Sequence, residues 1–180
     1  MATKLINKII QESLKINNDQ AFKQDVYYLA QKAFCISLEE LLISENKEVD
    51  DTLFNEYFKR YLKGEPLYYI LKEAPFYGKT FSVNSKVLIP RNETEELVLY
   101  VINYVKRNKL DNVTILDVGT GSGCIAVTLN LEIKDSKVTG VDISNDALEV
   151  AKMNNDKLNG KVTLYKSDCF DEVITRKETY

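Results

Sequence analysis

The stretch VTILDVGTGSGC, residues 113–124, decides how the second half of this chain is read. Val113 to Val118 is a short apolar run of the kind that forms a strand buried in a parallel sheet. Gly119, Gly121 and Gly123 then let the backbone turn tightly and approach a ligand closely, and the apolar run after Cys124 reads as a helix. A strand, a glycine loop and a helix in that order place a ligand at the carboxyl edge of a sheet. The pattern repeats downstream. KVTGVDI (137–143) is a second strand, NDALEVAKMNNDKL (145–158) a second helix and KVTLYKSD (161–168) a third strand. Repeated βα units with right-handed crossovers predict an α/β fold.

The acids at the strand tips carry the chemistry. Asp117 precedes the loop and Asp142 closes the second strand, where a carboxylate can grip ribose hydroxyls. The dinucleotide fingerprint needs a glycine at position 124, where cysteine stands. The spacing is GxGxG, with Thr120 and Ser122 between the glycines. An acid aimed at the ligand suits a cation and repels a pyrophosphate. S-adenosylmethionine carries an ammonium and a sulfonium, so it is the expected cofactor. A second reading of Asp117 stays open, in which it caps the following helix. Asp168, the third strand-tip acid, is expected beside the adenine, with Cys169 on the pocket wall.

Composition narrows the chemistry further. The chain has 180 residues, 44% hydrophobic and 28% charged, with a net charge of −3. Such a balance supplies no global basic field for nucleic acid. There is no histidine, and the three cysteines (Cys35, Cys124, Cys169) lie far apart. A Cys/His zinc site, a histidine base and a nucleophilic Cys169 are therefore not expected. Sparse, odd cysteines suit a reducing cytoplasm. The amino terminus reads as an amphipathic helix, not a signal peptide, and no apolar run is long enough to span a membrane.

The first half has a different grammar. Leu5, Ile6, Ile9, Ile10 and Leu14 recur at helical spacing, as do Phe22, Val26, Leu29 and Ala33. Ser37 and Glu40 form a capping-box pattern. Leu53, Phe54, Tyr57, Phe58, Tyr61 and Leu62 make an aromatic stripe, which Gly64 and Pro66 end. Residues 1 to about 63 are thus expected to be helices only, a small bundle. FYGKTFSVNSKVLIP (76–90) holds two β-rich runs around Asn84-Ser85-Lys86, which predicts a hairpin turning there. A helix follows from about Glu93 to Asn108, with Leu97, Val98, Val101, Ile102 and Val105 on one face.

GEPLYYI, FYGKTFSVNSKVLIPRNETEELV, ILDVGTGSGCIAV and GVDISNDALEVAKMNN together closely resemble the HemK/PrmC family. Its members are protein-(glutamine-N5) methyltransferases that act on peptide chain release factors. The resemblance covers nearly the whole chain, and VLIPRNETEELV is its specific part, since the glycine loop alone matches most class I methyltransferases. It implies a helical substrate-docking domain (1–66), a β-hairpin linker (67–91) and part of a Rossmann-like S-adenosylmethionine-binding domain (92–180). It carries the cofactor loop onto Asp117 and Gly119 to Gly123 and the ribose acid onto Asp142. Arg91, Thr94 and Glu95 would border the active-site cleft. A plainer reading, in which Arg91 only pairs with nearby acids, stays open. Departures from the family pattern are Asn92 and Asn145 in place of prolines and Lys72 in place of a common glycine.

The family's Asn-Pro-Pro-Tyr motif, which orients the glutamine NH2 towards the sulfonium methyl, does not occur in the sequence. No catalytic residue is therefore assigned. The chain is expected to be a C-terminally truncated fragment, inactive and weakly stable alone. DEVITRKETY (171–180) would lead to a fourth strand, and the first strand would stand at an unpaired edge. The expected partners are release factors, with neither nucleic acid nor membrane. Three rivals remain: a ribosomal-protein glutamine methyltransferase, a non-catalytic binding module and a nicotinamide dehydrogenase.

Overall fold

A computed structural model describes residues 3–17, 19–43, 47–176 and 180. The chain divides into two compact units, Met1–Leu71 and Lys72–Tyr180.

The first unit runs β1 (Thr3–Leu5), α1 (Ile6–Leu14), α2 (Gln20–Phe34), α3 (Leu38–Ile43), β2 (Glu48–Asp50), α4 (Thr52–Leu62) and α5 (Leu67–Leu71). Its helices bury the faces that the spacing marks. Ile6, Ile9 and Ile10 of α1 share one core with Phe22, Val26 and Leu29 of α2 and Phe54 of α4. Asp19 caps α2 by accepting from the amides of Ala21 and Phe22. The Ser37–Glu40 box closes in both directions: the Glu40 amide donates to Ser37 Oγ at 3.1 Å and the Ser37 amide to Glu40 Oε2 at 2.9 Å. The expectation of helices only is corrected by β1 and β2, which pair antiparallel with Thr3 opposite Asp50. That ladder gives the backbone on either side of the bundle a hydrogen-bond partner, which side-chain periodicity does not report. Leu5 accordingly leaves the helix face and sits in β1, 39% exposed.

The second unit opens with the hairpin β3 (Glu73–Phe76) and β4 (Lys79–Ser82), then α6 (Asn92–Arg107), β5 (Thr114–Val118), α7 (Cys124–Glu132), β6 (Lys137–Asp142), α8 (Asn145–Lys157), β7 (Thr163–Lys166) and α9 (Asp171–Thr175). The hairpin turns at Tyr77-Gly78, not at Asn84–Lys86. Both turn residues have positive φ, 48° and 69°, the two-residue geometry whose twist matches the flanking strands. Asn84 instead accepts from the Lys86 amide through its own side chain at 2.9 Å, a local turn that diverts the chain from pairing. Residues 67–71, read as linker, are helical and pack in the first unit's core.

β5, β6 and β7 form a parallel sheet in that order, with Asp117 opposite Gly140 and Asp142 opposite Lys166. This is the Rossmann-like α/β arrangement that the repeating βα units predict. β5 pairs only with β6 among the described residues. Phe76 and Phe81 of the hairpin meet edge to face at 5.9 Å and join Val98, Ile102, Val105 and Val127 in one core. Leu97, placed on that face by its spacing, is half exposed. Asp171–Thr175 is a helical turn rather than an extended approach, and residues 177–179 of that stretch lie outside those described.

Candidate cofactor site

Because the three strands are parallel, the loops that follow Val118, Asp142 and Lys166 all leave the same sheet edge. The glycine loop is folded down onto that edge by its own amides. The amides of Gly119 and Thr120 both donate to Val141 O, at 2.8 and 2.9 Å, and the Gly123 amide donates to Thr120 O at 2.8 Å. The Gly121 amide donates to Asp142 Oδ2 at 2.9 Å, while Oδ1 of the same carboxylate accepts from the Ser144 amide at 2.9 Å. Four loop N–H groups are thus spent inside the protein. A loop that cradles phosphate must aim its N–H groups outward. This one keeps them in.

The three glycines do different work, although all have positive φ. A Cβ on Gly119 would meet nothing within 4 Å, so the backbone there is open to a close-lying ligand. A Cβ on Gly123 would stand 3.2 Å from Ala151 Cβ, so that glycine serves the packing of α8 against the loop. Position 140, outside the motif, matters as much. A Cβ there would lie 2.8 Å from Thr120 Oγ1 and 2.9 Å from Leu164.

The Asp117 carboxylate accepts from Thr120 Oγ1 at 2.8 Å and is near enough to the amide of Ala126, in the first turn of α7, for that donor to lower its pKa, as the capping reading expects. Burial raises its pKa above the usual carboxylate range, against the lowering effect of those two donors, and the negative charge of Asp142 adds to the rise. A carboxylate whose ionisation a neighbouring carboxylate disfavours is a setting that a cation relieves. A carboxylate has about four acceptor positions, so Asp117 and Asp142 each keep capacity for a ligand donor.

The third strand tip is organised by Ser167, which the sequence reading passed over. It is buried, its amide donates to Asp142 O at 3.1 Å, and its hydroxyl donates to Cys169 O and accepts from the Glu172 amide. This closes a turn that leaves Asp168 and Cys169 exposed, with Cys169 at φ 46°. Cys124, by contrast, is buried at the start of α7, and burial pushes its thiol up to about 11.

The linker residues are placed less centrally. Arg91 is exposed at the cap of α6 and is in no ion pair among the described residues. The Thr94 amide donates to Arg91 O at 3.0 Å. Glu95 turns to the hairpin, where Oε1 accepts from the Tyr77 amide at 2.8 Å. The decisive residue that motif reading missed is Asn154 of α8. It is fully buried, with Nδ2 donating to Ser122 O at 2.8 Å and to Ser82 O at 2.9 Å, and Oδ1 accepting from the Ser82 amide at 2.7 Å. One of the two asparagines in MNND carries no signal of its own.

The residues fit S-adenosylmethionine: an open glycine backbone, inward-turned amides, a half-buried acid at the loop and a second acid at the next strand tip. Comparison with known proteins agrees. Residues 109–178 match the family model described as "Methyltransferase domain". The chain is 41% identical over 132 residues to the release factor glutamine methyltransferase of Bacillus anthracis, covering 71% of this chain and 47% of that protein. It is 42% identical over 126 residues to the Bacillus subtilis protein of the same name, covering 67% and 43%. A bifunctional methyltransferase of Rickettsia bellii is 34% identical over 195 residues, covering 92% of this chain and 34% of that protein. The chain spans less than half the length of these relatives. The linker phrase, the glycine loop on its sheet edge and these identities agree: residues 109–178 carry a methyltransferase domain, and the chain is similar to release factor glutamine methyltransferases.

Proposed function

We propose that this chain supplies the S-adenosylmethionine-binding part of a methyltransferase acting on the side-chain amide nitrogen of a glutamine in peptide chain release factors. The observation that carries the cofactor assignment is the inward turn of the loop amides of Gly119, Thr120, Gly121 and Gly123 beside two carboxylates. That arrangement offers carbonyl oxygens and negative charge to the ligand, which favours an ammonium and a sulfonium over a pyrophosphate. It therefore disfavours the dehydrogenase rival. The names of the relatives support the substrate class.

When bound, S-adenosylmethionine supplies an electrophilic methyl group on its sulfonium. Asp117 is suited to hold the cationic end, its ionised form stabilised by the charge that it meets. Asp142, already fixed by two backbone amides, presents its remaining lone pairs to the ribose hydroxyls. Asp168 and Cys169 stand at the third strand tip, where the adenine would lie. Catalysis of this kind rests on positioning and electrostatics and needs no strong base, which is compatible with a chain without histidine. By the resemblance, the glutamine amide is held by an Asn-Pro-Pro-Tyr motif, which these 180 residues do not contain. Release factors meet such an enzyme in the cytoplasm, the compartment proposed here. Among the described residues no helix is long and apolar enough to cross a membrane.

Calorimetry with S-adenosylhomocysteine and with NAD tests the reading. Binding of the former and not of the latter is expected, and the reverse sinks it. The 180 residues alone are expected to leave a release-factor glutamine unmethylated.

A further inference from the structure

Asn154 lies on no loop of the cofactor site, yet it spends all three bonds just named on backbone, two on the hairpin and one on the glycine loop. Ser82 is the last residue of β4, and Ser122 sits between the second and third glycines. One helical turn earlier on α8, Ala151 lies where a side chain on Gly123 would be. The same face of α8 therefore presses on residues 122 and 123 and grips the end of the hairpin. The start of α8 is tied to the site as well, through the Ser144 amide on Asp142. A second contact, between Lys86 Nζ and Asp146 at 2.8 Å, holds the segment after the hairpin to α8, but it is more than half exposed and surface pairs of this kind contribute little.

We infer that Asn154 is a positioning residue that couples the order of the hairpin to occupancy of the cofactor loop. The inference rests on the cofactor reading above. A ligand that fixes the Ser122 carbonyl fixes the Asn154 carboxamide, because Nδ2 is shared between that carbonyl and Ser82 O. A fixed carboxamide in turn holds the Ser82 amide through Oδ1. The effect is reciprocal by thermodynamic necessity, so a disordered hairpin end weakens ligand binding by the same factor. The hairpin continues through Val83 to Pro90 into the Arg91 linker. The coupling thus links the cofactor loop to the segment that leads into α6.

Hydrogen exchange at individual amides, with and without S-adenosylhomocysteine, tests this. The Ser82 amide is held by Asn154, whereas the Tyr77 amide at the other end of the hairpin is held by Glu95. In the unaltered chain the ligand is expected to slow exchange at Ser82 by at least about fivefold more than at Tyr77, the lower end of typical coupling between sites. Asn154→Ala is expected to abolish that difference and to weaken ligand binding by a similar factor. Asn154→Asp keeps the acceptor for the Ser82 amide but loses both donors, and is expected to behave the same way. Equal slowing at both amides, which simple stabilisation of the fold produces, overturns the inference. So does wild-type affinity in a folded Asn154→Ala. If both variants fail to fold, the comparison of Ser82 with Tyr77 in the unaltered chain decides alone. Failure of the unaltered chain to bind the ligand removes the cofactor reading and this inference together, whereas binding without selective slowing removes only this one.

Discussion

Thr120 reaches the Asp117 carboxylate, at 2.8 Å, only because position 140 carries no side chain: a Cβ there would stand 2.8 Å from Thr120 Oγ1. The middle strand thus makes room for the loop of its neighbour. Gly140→Ala is expected to push Thr120 and Leu164 aside at a cost of about 1–3 kcal/mol, as overpacking does. Thermal unfolding and S-adenosylhomocysteine affinity should both fall. An unchanged melting temperature would show that the loop gives way freely.

Asp117 predicts a pH dependence of definite sign. Its folded pKa is raised above the unfolded value, chiefly by burial. Its stabilising contribution is fully present below the unfolded pKa and is lost as the pH rises through the folded pKa. A cationic ligand reverses the preference, so binding should release a proton and affinity should fall as the pH drops from neutral into the carboxylate range. Asp117→Asn, which keeps an oxygen for Thr120 and Ala126, should flatten both profiles. Calorimetry in buffers of different ionisation heat would read the proton.

Asp142 holds two backbone amides and the proposed ribose contact. Bonds to a charged group contribute about 1.5–3 kcal/mol each, so Asp142→Ala is expected to cost S-adenosylhomocysteine more than about tenfold in affinity. Ser144→Ala, which removes only the cap on the Ala147 amide, should cost about 1 kcal/mol of stability with little change in the dissociation constant. Titration of the two variants side by side separates the roles.

The thiols should differ in reactivity. Cys124 is buried with its thiol pushed up to about 11, while Cys35 and Cys169 are exposed. Since the thiolate is the reacting form, iodoacetamide near pH 8 should label Cys35 and Cys169 first. Peptide mass spectrometry would show the order, and early labelling of Cys124 would contradict its burial.

Lys72 stands where the family commonly has glycine, and its φ is 58°. Left-handed backbone costs a side-chain-bearing residue on the order of 1–2 kcal/mol, partly offset in the wild type because glycine is freer when unfolded. Lys72→Gly is therefore expected to stabilise the chain by up to about 1 kcal/mol. Chemical denaturation would measure it.

Spacing and composition reach some of this directly. The strand at 114–118, the helix at 145–157 and the Ser37–Glu40 box are local: each depends on side chains a few positions apart, and each forms as its pattern says. The acids at 117 and 142 are legible because a strand tip fixes where a side chain emerges. Local pattern misplaces the hairpin turn because Asn84 and Gly78 are both good turn residues, and only pairing in three dimensions chooses between them. The β1–β2 ladder was missed for a related reason, since its bonds run between backbones more than forty residues apart, to which a helical period is blind.

By itself the sequence determined the order of the βα units, the cationic character of the expected ligand and the resemblance to the methyltransferase relatives. Tertiary structure alone decided that the loop amides turn inward, that Gly140 leaves room for Thr120 to reach Asp117, and that Asn154 joins the loop to the hairpin. Those relations connect residues 21 to 72 positions apart or hang on an atom that is absent, as at Gly140. Short-range pattern records which side chains a segment has. It does not record which distant backbone groups they will find once the sheet has formed.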